Sequence, residues 1–276
     1  MDIILQILIL ISIGLAAGTV GSLIGLGGGI IIVPMLLNID HFLSAFSTVP
    51  IHVAVGTSLI TIVFSSLSST LSYHKQKRID YKSGILFLIG SVPGSLLGTY
   101  INSLLNTERF TLFFGIFLIC ISVFLFVSSK LNKKAKEVHK GVIRTYTNEE
   151  GEAYTYSYSL PLAISLSICI GIISGLFGIG GGILLVPMMA FLFGFPPQLA
   201  VATSMFVVMF TTLGSSISYI VLGEVNFYYI LLLIPGAWFG GKIGAYINQK
   251  LKTETIALIL RLVVLFYGIK LIIENI

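Results

Sequence analysis

The sequence predicts an all-α polytopic membrane protein made of two homologous repeats. Three observations predict it: a composition suited to lipid, apolar runs long enough to cross a bilayer, and a glycine-centred pattern that occurs twice. Of 276 residues, 56% are hydrophobic and only 10% charged, with mean hydropathy +1.02. A water-soluble domain carries about 25% charged residues to cover its surface, so lipid is the solvent this chain is built for. The apolar runs fall at about 3–38, 50–73, 83–103, 109–128, 161–193, 197–221, 228–248 and 256–273. Most meet or exceed the ~20 residues that span a hydrocarbon core.

The first run opens Met1-Asp2-Ile3-Ile4, without the basic flank of a secretory leader, and is too long for one. A cleaved signal peptide is not expected. Cys120 and Cys169 lie far apart inside apolar runs and read as packing thiols, not as metal ligands or a disulfide. The net charge of +5 sits beside the membrane runs: Lys75, Lys77, Arg78 and Lys82 in one short loop, then Lys130, Lys133, Lys134, Lys136, Lys140 and Arg144. That placement is the positive-inside pattern and points to the bilayer as partner, with no nucleic acid.

The duplication is read residue by residue. Gly21-Ser22-Leu23-Ile24-Gly25-Leu26-Gly27-Gly28-Gly29, with Pro34-Met35 after it, answers to Ser174-Gly175-Leu176-Phe177-Gly178-Ile179-Gly180-Gly181-Gly182, with Pro187-Met188. Ala54-Val55-Gly56-Thr57-Ser58 answers to Ala200-Val201-Ala202-Thr203-Ser204, Ser72-Tyr73 to Ser218-Tyr219, and Gly98 to Asn102 to Gly244 to Asn248. The chain therefore divides into a first transmembrane repeat at 1–129, a cytoplasmic linker at 130–160 and a second repeat at 161–276. Loop charge orients the two. The basic loop 74–82 follows the second run of the first repeat, whereas its counterpart, 222–226, has no basic residue and Lys250 and Lys252 follow the third run instead. A change of side between halves is what an inverted repeat requires. Each half then has three crossing helices and one glycine-broken, re-entrant segment. Within the linker, 141–159 alternates polar and apolar residues around Asn148-Glu149-Glu150-Gly151, the pattern of a β-hairpin. It reads as a spacer or as a regulatory contact.

A glycine triplet breaks a membrane helix, and lipid cannot satisfy the amides it frees. Where such a break faces a polar cavity, its N–H groups and the positive end of the following helix form an anion site. Gly27, Gly28 and Gly29, with Gly180, Gly181 and Gly182, are the candidate substrate-binding residues. A competing reading makes Gly21, Gly25 and Gly29 a helix-packing face. A dinucleotide fingerprint is disfavoured, since no strand precedes the glycines and no ribose carboxylate follows. Hydroxyls supply the second set: Thr57, Ser58, Thr203 and Ser204 first, then Ser65 and Thr211, able to coordinate an anion or a sodium ion or simply to bond between helices. His52 and its counterpart Gln198 precede these motifs; His52 reads as a proton switch or a hydrogen-bonded capping residue. No Asp or Glu falls inside an apolar run, which argues against a carboxylate proton relay. Lys242 and Arg261 are the cations within runs, read as snorkelling or, for Arg261, as buried. With no nucleophile–base pair and no metal-ligand cluster in the runs, neither an enzyme nor a metal or organic cofactor is expected.

The Gly-x-Gly-Gly-Gly-x4-Pro motif, the later (Gly/Ala)-Thr-Ser motif and the near-duplicate of both resemble the sulfite exporter TauE/SafE family over all but the 130–160 linker. The resemblance implies a multi-pass plasma-membrane permease for a sulfite- or sulfonate-like anion. The same glycines, Thr57, Ser58, Thr203 and Ser204, would carry the site. Gly56 stands where the second repeat has Ala202, so the two halves of that site need not be equivalent. The expected function is secondary transport of a small anionic substrate by alternating access. A passive anion channel, and a membrane sensor or scaffold acting through the linker, are the alternatives. Coupling ion, direction and oligomeric state stay open.

Overall fold

The computed structural model describes residues 2–39, 49–105, 113–114, 116–117, 141–147 and 153–250. The runs at 109–128 (apart from four helical positions) and 256–273, with Cys120 and Arg261, lie outside the described residues. The first half contains α1 (Asp2–Ile24), α2 (Gly29–Leu37), α3 (Ile51–Lys75) and α4 (Tyr81–Ser103). A two-stranded antiparallel sheet follows, β1 (Val142–Thr147) pairing with β2 (Ala153–Tyr158) so that Val142 faces Tyr158 and Thr147 faces Ala153. The second half contains α5 (Leu160–Phe177), α6 (Gly182–Pro187) running on as a π-turn over Met188–Leu192, α7 (Pro197–Val221) and α8 (Phe227–Lys250). Among the described residues six helices are long and apolar enough to cross a membrane: α1, α3, α4, α5, α7 and α8. The chain is an all-α polytopic membrane protein with one small sheet.

The helix starts follow from local chemistry. Pro50 and Pro196, with φ −58° and −55°, lead into α3 and α7. Asp80 caps α4 by accepting from Ser83 N at 3.2 Å, and Asn226 caps α8 by accepting from Tyr229 N at 3.1 Å. α3 and α7 form the centre: 72% of the apolar stretch of each is buried, against 28% to 44% in the other four.

The two halves are intertwined. Gly236, Gly240 and Gly244 of α8 lie so close to Ile11, Leu15 and Thr19 of α1 that an added Cβ would strike the facing carbonyls. Gly90, Gly94 and Gly98 of α4 stand in the same relation to Ile164, Ile168 and Ile172 of α5. These are small-residue contacts that let backbones touch. Residue numbers rise together along both seams, so α1 runs parallel to α8 and α5 parallel to α4. The first helix of each repeat thus packs on a helix of the other. α3 and α7 are antiparallel: Thr57, early in α3, accepts from Asn226 N just beyond α7, and Thr203, early in α7, accepts from Asp80 N just beyond α3.

Two sequence readings gain detail here and one changes. The single run 3–38 is a helix long enough to cross, a break at 25–28, and a short helix that folds back along it. Met35 and Ile31 share an apolar cleft with Leu8, Ile9 and Ser12 of α1. Cys169 is not a packing thiol: it is exposed on the outer side of α5. Lys242 is exposed eight residues before the end of α8, its ammonium 5.6 Å from the Trp238 ring centroid. There it has a cation–π partner as well as a path to the surface.

Candidate functional site

The two glycine breaks lie side by side between α3 and α7. Gly27 and Gly180 both face Ile62 and Val208. Each of those residues is the twelfth of a 25-residue helix, so the breaks cross at the mid-level of the central pair. A Cβ on Gly29 would strike the Gly178 carbonyl oxygen, and one on Gly182 the Gly25 carbonyl oxygen. The breaks therefore lie antiparallel and in backbone contact. Left-handed backbone at their ends turns the chain into the returning helices: Gly28 (φ 101°) enters α2 and Gly181 (φ 73°) enters α6.

The hydroxyl motifs serve the opposite repeat. Ser58 Oγ donates to Gly178 O at 3.0 Å, and Ser204 Oγ donates to Gly25 O at 3.0 Å. Each carbonyl belongs to a residue freed from helical pairing and buried, so each needs the donor it receives. Further out, side chains again hold helix-end carbonyls in matched pairs. Tyr73 OH donates to Ser22 O at 2.8 Å and Tyr219 OH to Gly175 O at 3.1 Å. Asn102 Nδ2 donates to Leu176 O and Asn248 Nδ2 to Leu23 O, both at 2.7 Å. The serine and asparagine bonds cross between repeats, the tyrosine bonds stay within their own repeat, and every one has a counterpart.

Not all candidates converge. Gly27–Gly29, Gly180–Gly182, Ser58 and Ser204 come together, all buried, whereas Thr57 and Thr203, also buried, bond to Asn226 N and Asp80 N at opposite ends of the α3–α7 pair. Thr211 instead shares a hydrogen bond with Ser91, 2.9 Å between hydroxyls, and Ser65 Oγ is buried with no hydrogen-bond partner among the described residues. His52 Nδ1 lies 2.6 Å from Asn102 Oδ1. Because Asn102 Nδ2 is committed to the Leu176 carbonyl, the oxygen faces His52 and the imidazole must donate through Nδ1. Gln198 is half-buried at the start of α7.

The donors left over are what give the crossing its chemistry. Leu26 N and Gly27 N bond to Gly21 O, while Ile31 N and Ile32 N bond to Gly28 O. Among the described residues no backbone carbonyl accepts from the N–H groups of Gly28, Gly29 or Ile30. In the second break Leu184 N and Leu185 N bond to Gly181 O, which leaves Gly181, Gly182 and Ile183 in the same state. These are the N-terminal donors of α2 and α6, where the helix dipole is positive. Among the described residues no group of His, Cys, Asp and Glu is arranged to hold a metal ion.

Intertwined halves, six long apolar helices among the described residues and paired breaks at the mid-level of the central pair are the architecture of a multi-pass membrane protein. The chain belongs to the sulfite exporter TauE/SafE family, whose model matches residues 10–271. It is 50% identical to the probable membrane transporter protein YunE of Bacillus subtilis, over 99% of both chains. It is 28% identical to a probable membrane transporter protein of Methanocaldococcus jannaschii, over 94% of this chain and 92% of that one. No solved structure matches it. Its relatives are named for transport, not catalysis.

Proposed function

We propose that the protein is a secondary transporter for a small anion, a sulfur oxyanion such as sulfite or a sulfonate, working by alternating access between two inverted repeats. The observation that carries this reading is the crossing of the breaks. Six backbone N–H groups at the positive ends of α2 and α6 lack backbone acceptors at the mid-level of α3 and α7. Oriented amides and helix N-termini bind small oxyanions without a cation. Inversion is supported by the antiparallel course of the equivalent helices α3 and α7, and by the change of loop charge between halves. The sulfur class rests on the family's description and on the sulfite exporter name it carries.

Counterflow of labelled sulfite, alkylsulfonate and sulfate in proteoliposomes, with and without sodium or proton gradients, tests the reading. Accumulation of one of them above equilibrium is expected. Equilibration without accumulation would favour a channel, and no movement of any would remove the sulfur-oxyanion assignment.

A further inference from the structure

Among the matched polar connections of the two halves, one pair of equivalent residues differs in charge. Asp80 and Asn226 occupy equivalent places: each caps the next helix, and each gives its own N–H to a threonine of the other repeat. A neutral amide does both jobs at Asn226. The carboxylate appears only at Asp80, and there the β-hairpin is seated. Tyr156 OH donates to Asp80 Oδ2 at 2.7 Å, Arg144 Nη1 lies 3.6 Å from Oδ1, and Ser83 Oγ donates to Oδ2. Burial above all, then the hydrogen bond to Asp80 and its charge, push the Tyr156 phenol well above its ordinary pKa, so it remains a donor.

The rest of the seat is aromatic. The Tyr156 ring lies 4.0 Å from that of Phe195, Tyr158 packs on Phe87 and Phe193, and Ser157 N donates to Phe193 O at 3.2 Å. A cavity of about 270 Å³ remains beneath the strands, lined by Asp80, Arg144, Tyr146, Tyr156 and Leu199 among others. An isolated two-stranded hairpin is marginal on its own, so this one depends on its seat. Asp80 also links the seat inward. Its N–H bonds Thr203, and the neighbouring Ser204 holds the Gly25 carbonyl of the first break.

We infer that the β-hairpin is a gate over the Asp80–Thr203 end of the transport path, latched by Tyr156 and Arg144 on Asp80 and released once per cycle. This rests on the transport reading above; the two are separated by a readout that needs no transport. In a background with Cys120→Ala and Cys169→Ala, Leu199→Cys sits under the hairpin, and Ile79→Cys at the same cavity serves if that variant does not fold. A membrane-impermeant maleimide, applied to vesicles of each orientation, should label this cysteine at least fivefold faster when Tyr156→Phe and Arg144→Gln are added. An unchanged rate would overturn the latch. Bridging Thr145→Cys to Leu199→Cys with a reducible bis-thiosulfonate should lower sulfite exchange at least tenfold, with recovery on reduction. Exchange unaffected by the bridge would show a fixed brace and overturn the gate. If the unbridged protein moves no sulfur oxyanion, the transport reading fails, and the labelling rate alone decides whether the hairpin opens.

Discussion

Alanine at Gly28 should be much more damaging than alanine at Gly181, although the two glycines are duplicates. Both have positive φ, 101° and 73°, which costs an L-residue roughly 1–2 kcal/mol. Their surroundings differ. A Cβ on Gly181 would meet Ile170 Cγ2 and Ser174 Cβ, each at 3.2 Å, side-chain atoms that can shift slightly. A Cβ on Gly28 would strike the carbonyl oxygen of Ala17, which is fixed in α1. Overpacking against an unyielding neighbour adds about 1–3 kcal/mol. Gly28→Ala is therefore expected to lose about 2–5 kcal/mol and Gly181→Ala about 1–2 kcal/mol. Equilibrium unfolding of the purified variants in mixed micelles measures both. Equal losses, or a larger loss at Gly181, would refute the idea that α1 clamps the first break more tightly than α5 clamps the second.

Further outcomes follow from the bonds between repeats. Ser58→Ala and Ser204→Ala each leave a buried break carbonyl unsatisfied, for a loss of about 1–3 kcal/mol each. Because the two breaks rest on one another, the double variant should depart from additivity by more than about 0.5 kcal/mol in an unfolding cycle. Additive losses would mean that the breaks are mechanically independent. Asn102→Leu removes the donor to Leu176 O and the acceptor for His52, so it should cost more than His52→Leu, which removes only one of those bonds; unfolding of the two variants compares them. Finally, Lys75→Cys and Leu222→Cys, at the ends of antiparallel α3 and α7, should take an impermeant maleimide from opposite faces of sealed vesicles. Labelling from the same face would exclude inversion.

The duplicated sequence made the architecture legible and left the partnerships hidden. Lipid-suited composition and apolar runs predict the polytopic fold directly, because only helices satisfy their backbone within a membrane. The paired glycine triplets mark where helices stop. Nothing in them says whether Thr57-Ser58 serves its own repeat or the other, since two copies of a motif look alike under either arrangement. The structure answers through Ser58 and Gly178, and again through Ser204 and Gly25. Asn102 with Asn248, and Tyr73 with Tyr219, stood in the duplicated alignment, yet polar residues near segment ends pass for ordinary interfacial ones. Their recurrence was the available signal. Asp80 was harder to see: its importance lies in differing from Asn226, a difference that only gains meaning once the hairpin is found seated on it.

The crossing of the glycine breaks is the centre of this account, and hydrogen exchange reads it most directly. Amide exchange of the peptides spanning 25–31 and 178–184 should be followed by mass spectrometry in proteoliposomes, with and without sulfite. Binding at the free N–H groups predicts slowing of at least tenfold in both breaks together, while peptides from the outer faces of α1 and α5 exchange as before. Sulfite transport that proceeds with both breaks exchanging at unchanged rates would contradict the account, because the anion would then be held somewhere else.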